Sequence, residues 1–272
     1  MLKGDELKFG TVLADGRVRG AVFGKNENEI HLLDRSARDF IERGGVIVET
    51  LKGERARNLK LLPPITNPQK IVCIGLNYHE HAEELLKKHL LDNLPSMPTI
   101  FLKPPSALIA TEEDIVWPHG HEVDRIDYEA EIAVVIRGRA KDVREKDAPE
   151  HIAGYSCMND VTARHVQERD KQWTRAKSYD SFAPFGPVIE TDLNHARIGI
   201  KCKLNGKLVQ TSNTCRLIFS IPKLISFVSS VMTLYPGDII STGSPAGSGE
   251  LHHGDKVEVI GEGIGTLRNY VR

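Results

Sequence analysis

The sequence predicts an α+β protein dominated by β structure, with a small N-terminal β-rich unit ahead of a larger domain. Three observations carry this. Strand-like and helical stretches do not alternate regularly, which argues against a doubly wound parallel sheet. The dipeptides Asp15-Gly16 and Asn205-Gly206 each separate two short strand-like runs, where they favour tight hairpins. The stretch "LLPPITNPQ" holds Pro63, Pro64 and Pro68, none of which suits a helix interior or a central strand. The boundary is expected there, between residues 1–66 and 67–272. A chain of 272 residues is long enough for a large domain with such an appendage.

The elements follow in order. "LKFGTVLADGRVRGAVFG" reads as a hairpin, "EIHLLD" as a third strand, and "RSARDFIERG" as a short helix ending at Gly44. "KIVCIGL" (70–76) is a buried strand. "YHEHAEELLKKHLL" is a helix with apolar positions at 82, 85, 86 and 90, and the segment from Ala82 onward suits a lid. "TIFL", "SALIA", "DYEAEIAVVI" and "GYSCMND" are further strand-like runs, and a helix starts near Thr162. "IGIKCKLNGKLVQ" is a hairpin. "IPKLISFVSSVMTL" is a helix with Pro222 in its first turn. "GDIIST", "GDKVEVI" and "GIGTLRNYV" close the chain as strands. "GEGIG" (261–265) reads as a turn, because no helix follows it to make a phosphate cradle.

Composition excludes some functions. Lys and Arg total 36 against 37 Asp and Glu, so the net charge of -1 argues against a nucleic-acid or membrane-surface partner. The four cysteines are widely spaced in or near apolar stretches, which points to buried thiols in a reducing compartment. No apolar run is long enough to span a bilayer, and the N-terminus lacks an apolar signal core. A cytoplasmic globular protein is expected.

One segment stands out. Read as a strand, "DYEAEIAVVI" (127–136) places Asp127, Glu129 and Glu131 on one face of a run that ends in core material. Adjacent like charges repel and raise one pKa unless a cation lies between them. Such a face is a solvated acidic edge, a carboxylate pair sharing a proton, or a site for a hard divalent metal. Asp160 ends a second apolar strand just before a helix. It either caps that helix or completes a three-oxygen set with Glu129 and Glu131. A set without imidazole disfavours zinc.

These residues lie within stretches that resemble the fumarylacetoacetate hydrolase family. The stretches are "IVCIGLNYHEHAEE", "PTIFLKPPSALI", "VDRIDYEAEIAVVIRG", "GYSCMNDVTARHVQ", "AKSYDSFAPFGPVI", "LNGKLVQTSNT" and "LYPGDIISTGSPAGSG", in family order across residues 70–272. The resemblance implies a mixed β-sandwich roll, often preceded by a small N-terminal domain and usually dimeric. It implies Glu129, Glu131 and Asp160 as ligands of Mg²⁺ or Mn²⁺, with Asp127 outside that set. It implies His81 and Glu84 as a water-activating dyad, and residues i and i+3 are indeed neighbours on a helix surface. His79 is a rival to His81, and the two could be read as a metal pair, but i and i+2 point apart on a helix. Lys177 is implied as catalytic, and Lys103, Arg164 and Gln167 as substrate-binding. Ser244 stands where the family loop usually carries Thr, and keeps a hydroxyl for a substrate carboxylate. Arg125 and Ile126 depart from the usual approach to "DYEAE".

The implied chemistry is metal-dependent enolate stabilisation on a 2-oxo carboxylic acid. Hydrolysis of a C–C bond in an acylpyruvate or fumarylpyruvate-type β-diketo acid comes first among the expectations. Oxaloacetate decarboxylation and isomerisation of a 2-hydroxydienoate or a 5-carboxymethyl-2-hydroxymuconate are the alternatives. Two rivals stand beside it: a non-catalytic metal-binding protein on the same fold, and a zinc hydrolase using His79, His81 and His119 or His121.

Overall fold

The computed structural model describes residues 7–24, 28–120 and 123–272. His121 and most of the N-terminal stretch lie outside the described residues.

Strands β1 (Lys8–Ala14) and β2 (Arg17–Phe23) form the expected first hairpin. Asp15 and Gly16 both have positive φ, 49° and 71°, as a type I′ turn requires. Strand β3 (Glu29–Leu33) follows, then helix α1 (Ala37–Arg43). Ser36 Oγ caps α1 by accepting from Asp39 N, and Gly44 ends it at φ 69°. Strand β4 (Ile47–Lys52) gives no alternation signal, because Ile47 and Val48 are both exposed on an edge strand.

The larger region begins with β5 (Ile71–Ile74), α2 (His79–Lys87) and β6 (Ile100–Lys103). Helix α2 is shorter than its apolar pattern suggests, since the backbone turns at His89, φ 56°. The acidic run is not one strand. It divides into β7 (Ile126–Tyr128) and β8 (Ala130–Ile136), with Glu129 at the break. Strand β9 (Ile152–Asn159) leads to α3 (Arg164–Asp170) and the single turn α4 (Thr174–Lys177). Strand β10 (Ala183–Glu190) is not legible in the sequence, because Pro184 and Pro187 argue against a central strand. The hairpin β11 (Gly199–Leu204) and β12 (Lys207–Asn213) turns on Asn205-Gly206. Helix α5 (Ile221–Val231), β13 (Ile239–Ser241), β14 (Lys256–Gly261) and β15 (Gly265–Val271) complete the order.

The main sheet has 12 strands, and its central path runs β4-β3-β2-β1-β10-β9-β8-β13-β5-β6. It crosses the expected boundary near residue 66, because β1 pairs antiparallel with β10 through Lys8↔Glu190 and Phe9↔Ile189. A 5-stranded sheet runs β12-β11-β14-β15 to the short strand Asp114–Ile115. A 3-stranded sheet pairs β7 with Thr162–Ala163 and Gly249–Leu251.

Strand β8 shows why its sequence is continuously apolar. Ile132, Val134 and Ile136 join the core shared with β11, β14, β15 and α5. Ala133 and Val135 face the opposite core, with Phe9, Ile71 and Ile239. A strand covered on both faces has no polar side to show. The fold is therefore β-rich, with two sheets stacked over a shared core.

Three cysteines are buried as expected, but Cys215 is exposed, because it falls in the turn that follows β12. Among the described residues no helix is long and apolar enough to cross a membrane.

Candidate metal centre and active site

The strand break builds the site. Glu129 N donates to Asn159 Oδ1 at 2.9 Å, and Ala130 N to Gln210 Oε1 at 3.0 Å. Side-chain amides thus satisfy backbone groups that the ladder would otherwise hold. The chain can then leave the 3-stranded sheet at Glu129 and enter the main sheet at Ala130. Asp160 N donates to Glu129 O at 2.8 Å, which ties the end of β9 to the same break. The outcome is that Glu129, Glu131 and Asp160 each offer a carboxylate oxygen within 4.8 Å of the others. All three are buried.

Cations divide these charges. Lys177 Nζ donates to Asp160 Oδ2 at 2.6 Å and to Glu129 Oε2 at 3.0 Å. Lys103 Nζ donates to Asp160 Oδ1 at 2.6 Å and to Val161 O at 3.0 Å. Arg164 donates to Asp127 Oδ2, Gln167 Oε1 and Glu129 Oε1. Asp127 also accepts two bonds from Arg125, so its carboxylate is held by two guanidiniums. Burial opposes the charge on Glu129, but Lys177 and Arg164 outweigh it and hold the carboxyl below its usual range. Glu131 shifts the other way. Burial and then the charge of Asp160 push it up, against the bond from Ser241 Oγ at 2.5 Å. Gly243 N also donates to Glu131 Oε2, at 2.9 Å.

The carboxylates open onto a cavity of about 340 Å³. His81, Arg164, Gln167, Lys177 and Ser244 line it, with Phe101, Trp173 and Leu85 as apolar wall. Phe101 and Trp173 meet edge to face at 5.2 Å, and Lys177 Nζ lies 4.9 Å from the Phe101 ring centre. His81 Nδ1 is 3.3 Å from Ser244 O.

The structure therefore brings nine of the ten sequence-derived residues to the carboxylates, the cavity or its immediate support, in unequal ways. Lys103 does not line the cavity; it stands behind Asp160, 1% exposed. Lys177 and Arg164 line it, yet Lys177 is engaged by Asp160 and Glu129, and Arg164 by Asp127, Glu129 and the Gln167 amide oxygen. Glu84 lies one turn along α2 from His81, but its carboxylate accepts from Lys88 Nζ at 2.6 Å. Sequence reasoning missed Trp173, Phe101, Ser241 and Gln210. Trp173 follows α3 in an irregular turn with no pattern. The other three fall inside the family-like stretches, where neither charge nor spacing sets them apart.

The donor set can be tested against the implied metal. It is three carboxylates and no imidazole, which fits a hard divalent cation such as Mg²⁺ or Mn²⁺. A dication would also relieve the like-charge crowding that raises Glu131. Among the described residues no other group of three His, Cys, Asp or Glu side chains converges this way, so His79, His81 and His119 form no zinc site.

The description of the family model matching residues 70–272 is fumarylacetoacetate (FAA) hydrolase C-terminal. A mitochondrial oxaloacetate tautomerase of Bos taurus is 36% identical over 259 residues, covering 88% of this chain and 80% of that protein. The crystal structure of 5-carboxymethyl-2-hydroxymuconate delta-isomerase from Mycobacterium smegmatis superposes with a TM-score of 0.86 at 34% identity, covering 97% of this chain and 98% of that one. Fumarylpyruvate hydrolase from Pseudomonas aeruginosa, solved with Mn²⁺ and pyruvate, gives a TM-score of 0.70 at 28% identity, covering 77% and 90%. With three quarters of its length under one family model, and with a fold shared by these enzymes, this chain belongs to the fumarylacetoacetate hydrolase family.

Proposed function

We propose that this protein is a divalent-metal-dependent enzyme that moves a proton at the carbon beside the oxo group of a 2-oxo carboxylic acid. Tautomerisation or isomerisation is the reaction class. The observation that carries this reading is the placement of His81 on the wall of the cavity that holds the three carboxylates. With a proton on Nδ1 directed at Ser244 O, its Nε2 is a base. Glu129, Glu131 and Asp160 would hold Mg²⁺ or Mn²⁺. Bound there, the cation supplies Lewis-acid stabilisation of enolate charge. Phe101, Trp173 and Leu85 form an apolar wall beside these charges, and a substrate seated against it would displace water and strengthen the charge interactions inside the cavity. The oxaloacetate tautomerase and the hydroxymuconate isomerase among the similar proteins support proton transfer.

A second reading is C–C hydrolysis of an acylpyruvate, favoured by the i,i+3 spacing of His81 and Glu84 on α2, although Glu84 is paired with Lys88. To orient His81 for deprotonating a water, Glu84 would turn its carboxylate toward the imidazole, sharing or giving up Lys88. An exposed i,i+4 pair of this kind contributes only about 0.3–0.5 kcal/mol, so little opposes the move. The named activity of the fumarylpyruvate hydrolase supports this reading.

The test uses protein stripped of metal and reloaded with Mg²⁺ or Mn²⁺. Substrates are enol-oxaloacetate, a 2-hydroxydienoate and acetylpyruvate. Cation-dependent turnover of the enol or the dienoate, faster than acetylpyruvate cleavage, is expected. Full activity after stripping, or inactivity on all three, sinks the proposal.

A further inference from the structure

Gln210 is the buried polar residue of β12, 2% exposed, and its whole side-chain amide is spent on the site. Its Oε1 accepts from Ala130 N at 3.0 Å, at the peptide that joins Glu129 to Ala130. Its Nε2 donates to Pro245 O at 2.8 Å and to Ser244 Oγ at 2.9 Å. Two of these partners are backbone groups of fixed polarity, one N–H and one carbonyl. They leave the amide a single orientation. Ser244 Oγ must therefore accept from Gln210, and its own proton is left to donate. The internal acceptor on offer, Pro245 O, is 3.4 Å away, which is long for a hydroxyl bond. Ser244 lines the cavity, so an anionic oxygen there is the better acceptor.

The same segment serves His81. Ser244 O is the partner of His81 Nδ1. The loop that presents it is pressed against β12: a Cβ on Gly247 would meet Val209 O at 2.4 Å, and Gly247 has φ +93°. Asn77 fastens the loop's other side through Thr242 O at 2.8 Å. Between these two contacts, the bonds from Gln210 to Ser244 Oγ and Pro245 O are what set the peptide orientation at Ser244.

We infer that Gln210 is a positioning residue that makes Ser244 an obligate hydrogen-bond donor to a substrate carboxylate and holds His81 as its Nδ1–H tautomer. The statement about substrate rests on the proposed 2-oxo acid chemistry; the statement about the tautomer does not.

The experiment uses the full chain loaded with Mg²⁺, as wild type and as Gln210→Met, Gln210→Glu, Ser244→Ala and the double variant Gln210→Met/Ser244→Ala. Ring ¹⁵N shifts of His81, assigned by their loss in His81→Asn, report the tautomer without any substrate. Calorimetry with oxalate, a small planar dicarboxylate, reports the donor. Gln210→Glu keeps the size and the acceptor for Ala130 N, so it covers the case in which the apolar variant does not fold. Wild type should show the Nδ1–H pattern, and both Gln210 variants should move toward Nε2–H. Oxalate should bind about tenfold or more weakly to each single variant, and the double variant no worse than Ser244→Ala. A wild-type His81 in the Nε2–H form, a tautomer indifferent to both Gln210 changes, or losses that multiply in the double variant would overturn the inference. Wild type that turns over no 2-oxo acid yet shows the expected tautomer shift would sink the proposed function and leave the positioning role standing.

Discussion

The ammonium of Lys177 lies 2.6 Å from Asp160 Oδ2, with the two side chains only 2% and 1% exposed. A buried pair of this kind adds little net stability, yet removing one partner strands a charge in the interior. Lys177→Met leaves Glu129 with Arg164, and Asp160 with Lys103. Urea unfolding without added cation should show a loss of about 3 kcal/mol, the low end for a broken buried pair, because Lys103 remains. The double variant Lys177→Met/Asp160→Asn should recover part of it. A single variant as stable as wild type would mean that the pair is not buried in solution.

Glu131 carries the opposite strain. Burial, then Asp160 and Glu129, raise its carboxyl in the folded state. A raised group contributes its full stability below the unfolded value, about 4.3 for Glu, and loses it as pH rises through the folded value. Metal-free protein should therefore lose thermal stability as pH climbs from about 4.3 through neutrality. Affinity for Mn²⁺ should rise over the same window, since the proton must leave before the carboxylate can ligate. Calorimetric titration at several pH values measures the slope, and Glu131→Gln should flatten both dependences. Mn²⁺ affinity that does not change with pH would contradict the assignment.

His81 and Glu84 can be separated by mutation, because they have different partners in this structure. His81 faces Ser244 O, whereas Glu84 is taken by Lys88. His81→Ala should lower cation-dependent proton transfer by about 10²-fold or more, the usual contribution of a positioned base, with Mn²⁺ affinity unchanged. Glu84→Gln should leave proton transfer within about threefold of wild type and reduce acylpyruvate cleavage more strongly. Steady-state kinetics on both substrate types measures the split. Equal losses in both variants on both substrates would favour the hydrolytic dyad over a lone base.

The β-rich class is legible because its signals are local. Asp15-Gly16 and Asn205-Gly206 specify turns by positive φ alone. What the sequence hides is set by distant partners. "DYEAEIAVVI" looks continuous, since period-two alternation persists through Glu129; the break exists because Asn159 and Gln210, 30 and 80 residues away, take its backbone N–H groups. Strand β10 is concealed by its prolines, although it joins β1 to β9 at the middle of the main sheet. The acids of the site are conspicuous because charged residues ending apolar runs are unusual. The depth of Lys103 is invisible, because nothing in "FLKPPSAL" says that Asp160 will be folded over it. Gln210 looks like any polar residue of a hairpin until Ser244 and Pro245 are seen against it.

The loop after β13 offers a test of how closely backbone and metal site are linked. Gly243 has φ +94°, and a Cβ there would lie 2.8 Å from Asn77 Cβ and 3.3 Å from Gly75 O. Its N–H donates to Glu131 Oε2. Gly243→Ala therefore meets two obstacles, a backbone region that L-residues avoid and a contact that forces the peptide to move. Gly254 separates them, since it has φ +88° and a Cβ added there would meet nothing within 4 Å. Gly254→Ala should cost about 1–2 kcal/mol of stability from backbone conformation alone and leave Mn²⁺ affinity as in wild type. Gly243→Ala should cost more, and it should also weaken Mn²⁺ binding, because moving the peptide takes a donor from Glu131, whose carboxyl burial and Asp160 already push up. Thermal melts and Mn²⁺ titrations on the two variants measure both effects. Equal Mn²⁺ affinity in the two would mean that Glu131 does not depend on the loop for its position, and that the loop holds Ser244 and His81 without steering the carboxylates.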